Sequence, residues 1–246
     1  MALTKPAFIM FDYGQTLIKE GAYDGAAGYD YILRYAISNP RHITGATLQG
    51  EIEAMNVELG RFDPATRHKR LTEVSEESIN RYLFAKYSIE FPPETDLRAL
   101  ETEFWNTANP CAPCEGIIEL LDFLKSENVR TGVVSNMSFC GKTLCERIYG
   151  VIPNADFDFV ISSCDYLFRK PSRRIFEAAL AKAGVTADKV WFCGDQFIPD
   201  VQGSLSVGMT PVWYKGNLRY DGECKMTEGI EIYHWSELID LIKSIG

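Results

Sequence analysis

The chain has 246 residues, of which 46% are hydrophobic and 24% charged, and its formal net charge is -9. This balance is typical of one large or two small globular domains and excludes a disordered or fibrous chain. The acidic charge argues against nucleic acid or an anionic membrane as a partner, and no apolar run approaches the roughly 20 residues of a membrane-spanning helix.

An apolar run over residues 7–11 predicts the first strand, and four similar runs follow after residue 129. Short continuous apolar runs are typical of strands that are buried on both faces of a parallel sheet. Helical patterns at 115–126 and 172–183 precede two of these runs, the second with Ser172 as N-cap and Gly184 as stop. This alternation predicts a doubly wound α/β sheet. The later strands are predicted over 130–134, 157–161, 190–193 and 210–213.

Residues 20–109 interrupt the alternation, because they contain no convincing strand and read as helices separated by Pro, Gly and polar residues. We therefore predict a core made of residues 1–19 and 110–246, with an inserted helical domain of residues 20–109. The predicted helices of the insert are 22–37, 46–59, 71–87 and 94–107.

The N-terminal sequence and the cysteines predict a cytoplasmic protein. The first residues, MALTKPAFIMFDYG, hold only a short apolar stretch followed by an acid, unlike a secretion signal. The seven cysteines are an odd number, which in that context predicts free thiols in a reducing compartment. Cys111 and Cys114 form one C-x-x-C without a second pair, so we interpret them as small apolar residues. A monomer or a homodimer is the general expectation for such a chain.

Polar side chains follow several predicted strands, at the carboxyl ends where open α/β sheets bind their ligands. Clustered carboxylates repel each other, and a divalent cation relieves that repulsion. Lysine and serine are suitable partners for a phosphoryl group beside such a cation. The residues in question are Asp12, Gly14, Gln15 and Thr16 after the first strand, Ser135 and Asn136 after the second, Lys170 at a helix entrance, and Asp195 and Asp200 after the fourth.

In this order the residues resemble the four motifs of the haloacid dehalogenase (HAD) superfamily, and the helical insert resembles its C1-type cap. The resemblance implies a Rossmann-like core, a mobile cap, and usually magnesium-dependent phosphoryl transfer through an aspartyl phosphate. It also implies a phosphorylated small molecule as substrate. The motifs are Asp12-x-x-x-Thr16-Leu17, then Ser135, then Lys170-Pro171, and then Gly194-Asp195-x-x-x-x-Asp200.

The resemblance also implies a role for each residue. Asp12 is the expected nucleophile, and Lys170 is expected to neutralise charge on Asp12 and the phosphoryl group. The expected Mg²⁺ ligands are Asp12, the backbone carbonyl of Gly14, and Asp195, with Asp200 acting nearby. The expected phosphate-binding residues are Thr16, Ser135, Asn136 and Lys170.

One position departs from the family pattern. Phosphatases of the superfamily place a second Asp two residues after the nucleophile, where it protonates the leaving group, and here that position is Gly14. General acid–base catalysis contributes about 10²–10⁴-fold, so we expect a severe loss for poor leaving groups. Gln15 also replaces the glycine that normally follows.

This departure leaves alternatives open. A 2-haloacid dehalogenase has a non-acid at this position and needs no metal. A phosphonate-cleaving enzyme uses a cap lysine, for which Lys69 and Lys86 are the candidates. A catalytically weak phosphate- or metal-binding protein is the third alternative. Side chains of the insert that could reach a substrate, or simply pack, are Tyr23, Tyr29, Arg34, Arg41 and Trp105.

Overall fold

The computed structural model describes residues 3–61, 63, 69–217 and 224–245. Eight strands lie in this part of the chain, and five of them coincide with or overlap the five apolar runs. The strands are β1 (Phe8–Phe11), β2 (Ile18–Glu20), β3 (Cys111–Pro113), β4 (Arg130–Ser135), β5 (Val160–Ser162), β6 (Val190–Gly194), β7 (Thr210–Tyr214) and β8 (Ile230–Ile232).

Six of these strands form one parallel sheet in the order β5-β4-β1-β6-β7-β8. β1 lies between β4 and β6, and Phe11 is in register with Val133 on one side and Cys193 on the other. The carboxyl ends of these three strands therefore meet at one edge of the sheet. The predicted α/β sheet is confirmed, although β5 begins at Val160 and not at residue 157.

Strand β8 was not predicted, and neither was a separate pair of strands. β2 and β3 pair antiparallel, with Ile18 opposite Pro113 and Glu20 opposite Cys111. Neither three-residue segment has a recognisable strand pattern, and proline disfavours a strand interior. The pairing arises because the chain leaves for the insert and returns from it at the same place.

Helices fill the connections between the strands, and four of them lie between β2 and β3 among the described residues. No helix in that part of the chain is both long and apolar enough to span a membrane. The helices are α1 (Gly25–Leu33), α2 (Gly45–Glu58), α3 (Glu76–Tyr87), α4 (Leu97–Ala108), α5 (Ile117–Ser126), α6 (Gly141–Val151), α7 (Ser163–Tyr166), α8 (Arg173–Ala183), α9 (Gly203–Leu205) and α10 (Trp235–Ile245).

Capping residues make three insert helices start later than predicted. The side chain of Asp24 accepts from Ala27 N at 3.0 Å, so α1 begins at Gly25 and not at residue 22. Ser75 and Asp96 cap α3 and α4 in the same way. A side-chain oxygen at the N-cap satisfies a backbone N–H that has no helical partner.

The segment before α3 is extended, although the sequence predicts a helix from residue 71. Glu73 N donates to Leu167 O at 2.7 Å, and Arg169 N donates to Leu71 O at 2.9 Å. These bonds join the insert to the chain just before Lys170. A long-range pairing thus takes the place of a helical turn. The division into domains at residues 19/20 and 109/110 stays a prediction.

The insert packs on one face of the sheet and shares its apolar core. Phe104 of α4 stacks edge-on against Tyr29 of α1, with ring centroids 4.7 Å apart. The same continuous cluster includes Phe11 of the sheet and Trp235 of α10. A second cluster, around Phe176, covers the opposite face.

Arg147 of α6 is buried and joins the insert to the sheet. Its Nε donates to Tyr13 Oη at 2.7 Å, and its Nη1 donates to Asn106 Oδ1 at 2.8 Å. Nη2 donates to the carbonyl and to the side chain of Asn109. The guanidinium also lies 4.4 Å from the ring centroid of Trp105. One side chain therefore connects the residue after Asp12 with the end of α4.

Replacing Arg147 tests how much its contacts contribute to the stability of the fold. Arg147→Met is expected to lower the free energy of unfolding by about 2–4 kcal/mol, because it leaves buried acceptors without a donor. Urea-induced unfolding measures the change. Arg98→Met is the matched control, since Arg98 pairs with Glu77 on the surface and is expected to cost about 1 kcal/mol or less. Equal losses of unfolding free energy in the two variants would show that the buried contacts of Arg147 contribute no more than a surface ion pair.

Candidate active site

A buried ammonium lies between two carboxylates at the sheet edge. Lys170 Nζ is 2.7 Å from Asp12 Oδ1 and 2.7 Å from Asp200 Oδ1. Burial lowers the pKa of Lys170, but the charges of Asp12 and Asp200 outweigh it and raise that pKa above its ordinary value. Lys170 is therefore charged at neutral pH.

Asp195 adds a third carboxylate to the cluster. One oxygen from each of Asp12, Asp195 and Asp200 lies within 4.8 Å of the other two. Burial, together with the neighbouring carboxylates, raises the pKa of Asp195 well above its usual range. Burial is also the largest cause that raises the pKa of Asp200, to about 6. The site therefore carries more negative charge than Lys170 can neutralise.

The donor set fits a hard divalent cation. Asp195 Oδ1 is buried and has no hydrogen-bond partner among the described residues. Oxygen ligands from carboxylates are those that Mg²⁺ takes in proteins, and a cation would lower the pKa values that the cluster raises. This unpartnered oxygen and the mutual repulsion are what a bound cation would relieve.

The chain after β6 brings Asp195 and Asp200 together. A π-helical turn over Phe197–Gln202 lets the Asp200 side chain fold back, so that its Oδ2 accepts from Gln196 N at 2.9 Å. A Cβ on Gly194 would lie 2.4 Å from the side chain of Asp200, so only glycine leaves room for it. Trp213 of β7 donates to Asp195 O at 2.9 Å and fixes the strand end.

Ser135 and Asn136 lie at the end of β4, beside Lys170. Asn136 Nδ2 donates to Lys170 O at 2.9 Å, and Lys170 N donates to Asn136 Oδ1 at 2.7 Å. The Asn136 amide thus holds the main chain of Lys170, a role that the sequence did not suggest. Thr16 is fully buried, and its hydroxyl has no hydrogen-bond partner among the described residues. Phosphate contacts of Ser135, Asn136 and Thr16 stay predictions.

The turn after Asp12 keeps the shape that glycine would favour. Gln15 has φ 59, in the left-handed region, and its N–H donates to Ile18 O at 2.7 Å. Ile18 N donates to Tyr13 O at 3.0 Å. The chain therefore reverses tightly after Asp12 and enters β2. Sequence reasoning did not single out Glu20 at the end of β2, because no local pattern places it beside this turn.

A cavity of about 1030 Å³ lies between the insert and this edge of the sheet. Met137 and Ser138, which follow Asn136 directly, form part of its wall. Tyr23 and Trp105, two of the proposed contact residues, also line it. Much of the remaining wall is apolar or acidic. The other three proposed contact residues, which are not among the described lining residues, are Tyr29, Arg34 and Arg41.

Neither candidate lysine of the insert is among the described lining residues of this cavity. Lys86 Nζ lies 2.7 Å from Glu51 Oε2 in a partly exposed ion pair between α3 and α2. Lys69 is exposed. The arrangement therefore gives no support to an imine-forming lysine at the site.

Comparison with known proteins places the chain in a family. A family model for haloacid dehalogenase-like hydrolases matches residues 53–214. The glyceraldehyde 3-phosphate phosphatase of Methanothermobacter thermautotrophicus is 33% identical over 97 residues, which are 39% of this chain and 41% of that protein. The pyrimidine 5'-nucleotidase YjjG of Escherichia coli is 28% identical over 118 residues, 47% of this chain and 51% of that protein. The chain thus spans about half the length of these relatives.

Solved structures share the whole architecture. A 2-haloacid dehalogenase from Pseudomonas syringae has a TM-score of 0.63 and 19% identity, over 99% of this chain and 100% of that one. A HAD-hydrolase from Bacillus subtilis bound to magnesium has a TM-score of 0.55 and 18% identity, over 98% of this chain and 100% of that one. At such identities the likeness establishes the fold alone.

Binding of Mg²⁺ is the first test of the carboxylate cluster. At about 100 times its Kd, Mg²⁺ is expected to stabilise the chain by about 2.7 kcal/mol and to raise the Tm by about 5–10 °C. Asp195→Asn is expected to remove most of this shift, because it removes a charged ligand. Asp188→Asn, an exposed acid at the other end of β6, is the control and should keep the full shift. A full shift in Asp195→Asn would rule Asp195 out as a ligand.

The raised pKa values predict how stability depends on pH in EDTA. The folded chain keeps protons on Asp195 and Asp200 that the unfolded chain releases near pH 4, so the free energy of unfolding falls as the pH rises above that value. Asp195→Asn should therefore melt at least about 2–4 °C above the parent chain at about pH 8, and close to it at about pH 4. Thermal unfolding followed by circular dichroism measures this, and a constant difference at all pH values would contradict it.

Proposed function

The chain belongs to the haloacid dehalogenase-like hydrolase family, and we propose that it is a Mg²⁺-dependent phosphatase acting on a phosphorylated small molecule. The observation that carries this proposal is the buried cluster in which Lys170 pairs with Asp12 and Asp200 while Asp195 lies within ligand distance. Nucleophile, cation ligands and a charge-neutralising lysine are the parts that phosphoryl transfer requires. The relatives named as a glyceraldehyde 3-phosphate phosphatase and a pyrimidine 5'-nucleotidase add support of a weaker kind.

Asp12 is the nucleophile in this proposal. Lys170 donates to Asp12 Oδ1, which orients the carboxylate so that Oδ2 attacks phosphorus in line. The aspartyl phosphate that forms is then hydrolysed by water. Two easier steps thus replace one difficult displacement.

Charge neutralisation is the work of the neighbouring residues. Lys170 offsets the repulsion between the Asp12 carboxylate and the anionic substrate. Ser135, Thr16 and the main chain of Asn136 would hold phosphoryl oxygens. Asn136 keeps Lys170 in place through its two bonds to the Lys170 main chain.

Mg²⁺ fits the carboxylate cluster. Asp12, Asp195 and the carbonyl of Gly14 would hold it, with Asp200 orienting Lys170 and contributing nearby. When bound, the cation supplies positive charge that stabilises the phosphoryl group during transfer.

The carboxylate cluster favours a phosphatase over a 2-haloacid dehalogenase. A dehalogenase of this superfamily attacks carbon and needs no metal. Its reaction therefore does not require a cluster of three buried carboxylates beside the lysine. The cavity beside the site would receive the organic part of the substrate. Its apolar side chains, Ile52 and Phe139 among them, suit a leaving group with apolar surface.

Release of phosphate from acetyl phosphate tests the proposal. We expect turnover that requires Mg²⁺, is abolished by EDTA, and falls by about 10³-fold or more in Asp12→Asn, since a covalent nucleophile is lost. Asp188→Asn should behave like the parent chain. Halide release from a 2-haloacid in EDTA, without phosphate release, would show that the chain is a dehalogenase and not a phosphatase. Binding of phosphate or Mg²⁺ without any turnover would indicate a binding protein.

A further inference from the structure

The carboxylate of Glu20 lies beside Gly14, where the family's second Asp is missing. Glu20 Oε2 is 3.4 Å from the point that a Cβ on Gly14 would occupy. This is an ordinary contact distance, so a side chain at position 14 and the Glu20 carboxylate would share the same small region. An acid is thus present there, although it comes from six residues further along the chain.

The main chain around Glu20 is held in place from several sides. Glu20 pairs with Cys111 in the antiparallel β2–β3 pair, and Gly21 N donates to Pro110 O at 2.8 Å. Gln15 Nε2 donates to Glu20 O at 3.4 Å, a long contact. The side chain of Gln15, the other residue that departs from the family pattern, thus contacts the main chain of Glu20.

Glu20 also faces the space where a leaving group would lie. It lines the 1030 Å³ cavity between the insert and the sheet edge, together with Gly21 and Tyr23. A general acid must reach the oxygen of the leaving group, and this placement puts a carboxyl group between the turn after Asp12 and that cavity.

We propose that Glu20 is the general acid and base of this site, in place of the acid that Gly14 lacks. The proposal rests on the phosphatase function proposed above. As Asp12 Oδ2 forms its bond to phosphorus and the bond to the ester oxygen breaks, the Glu20 carboxyl gives its proton to that oxygen and the alcohol leaves. The Glu20 carboxylate then takes a proton from the water that attacks the aspartyl phosphate. Asp12 and protonated Glu20 are thereby restored, and inorganic phosphate is released.

The dependence on the leaving group separates this role from a structural one. For Glu20→Gln we expect kcat/KM for glycerol phosphate, an alkyl ester, to fall by about 10²–10⁴-fold. For p-nitrophenyl phosphate, whose leaving group needs no proton, we expect a fall of less than about tenfold. Glu119→Gln, an exposed acid on α5, is the matched control and should leave both values unchanged.

Two further variants keep the test decisive. Gly14→Asp combined with Glu20→Gln moves the acid to the family's position and should recover a large part of the activity on glycerol phosphate. The backbone at Gly14 is not in the left-handed region, so Asp can be accommodated there. Glu20→Asp keeps an acid on a shorter side chain and should show an intermediate loss on the alkyl ester only.

The possible failures are distinguishable. Equal losses on both esters, or no loss on either, in a Glu20→Gln variant with a normal melting curve would overturn the role of Glu20 while leaving the phosphatase intact. Absence of Asp12-dependent turnover by the parent chain on both esters and on acetyl phosphate would overturn the phosphatase function and this inference together.

Discussion

The buried ion pairs of Lys170 hold the candidate site together. Three carboxylates extend from neighbouring positions at one edge of the sheet and repel each other. Their desolvation adds to the free-energy cost of burying them. Lys170 is the buried cation that contacts two of them, at 2.7 Å each. Removing one partner of a buried pair typically costs about 3–5 kcal/mol, because the other charge is left uncompensated. The remaining negative charge makes the cluster a place for a divalent cation.

The helical insert is fastened to the chain on both sides of this cluster. Arg147 ties the end of α4 to Tyr13, the residue after Asp12. The extended segment at Glu73 pairs with the chain at Leu167, just before Lys170. A change in the position of the insert would therefore shift the chain next to both Asp12 and Lys170. This coupling gives the insert a physical route to influence the proposed nucleophile Asp12 and its partner Lys170.

The turn after Asp12 shows how a fold keeps its geometry while its residues change. Gln15 adopts the left-handed conformation that glycine would take more easily, and so the chain still reverses into β2. Gly14 has no side chain, and the Glu20 carboxylate lies next to the space that a side chain there would occupy. In our proposal, Glu20 of the adjoining β2–β3 pair supplies the acid that Gly14 lacks, and the register of that pair fixes its position.

The sequence by itself determined five of the six strands of the sheet and the side chains at its edge. Apolar runs such as 130–134 and the polar residues behind them are local patterns, and parallel strands bring their carboxyl ends together whatever the connections between them. Tertiary structure alone decided the β2–β3 pairing, the use of Asn136 to hold Lys170, and the position of Glu20. Arg147 and Tyr13 are 134 residues apart. Such contacts depend on how distant segments meet in the folded chain, and no periodicity within either segment records that meeting.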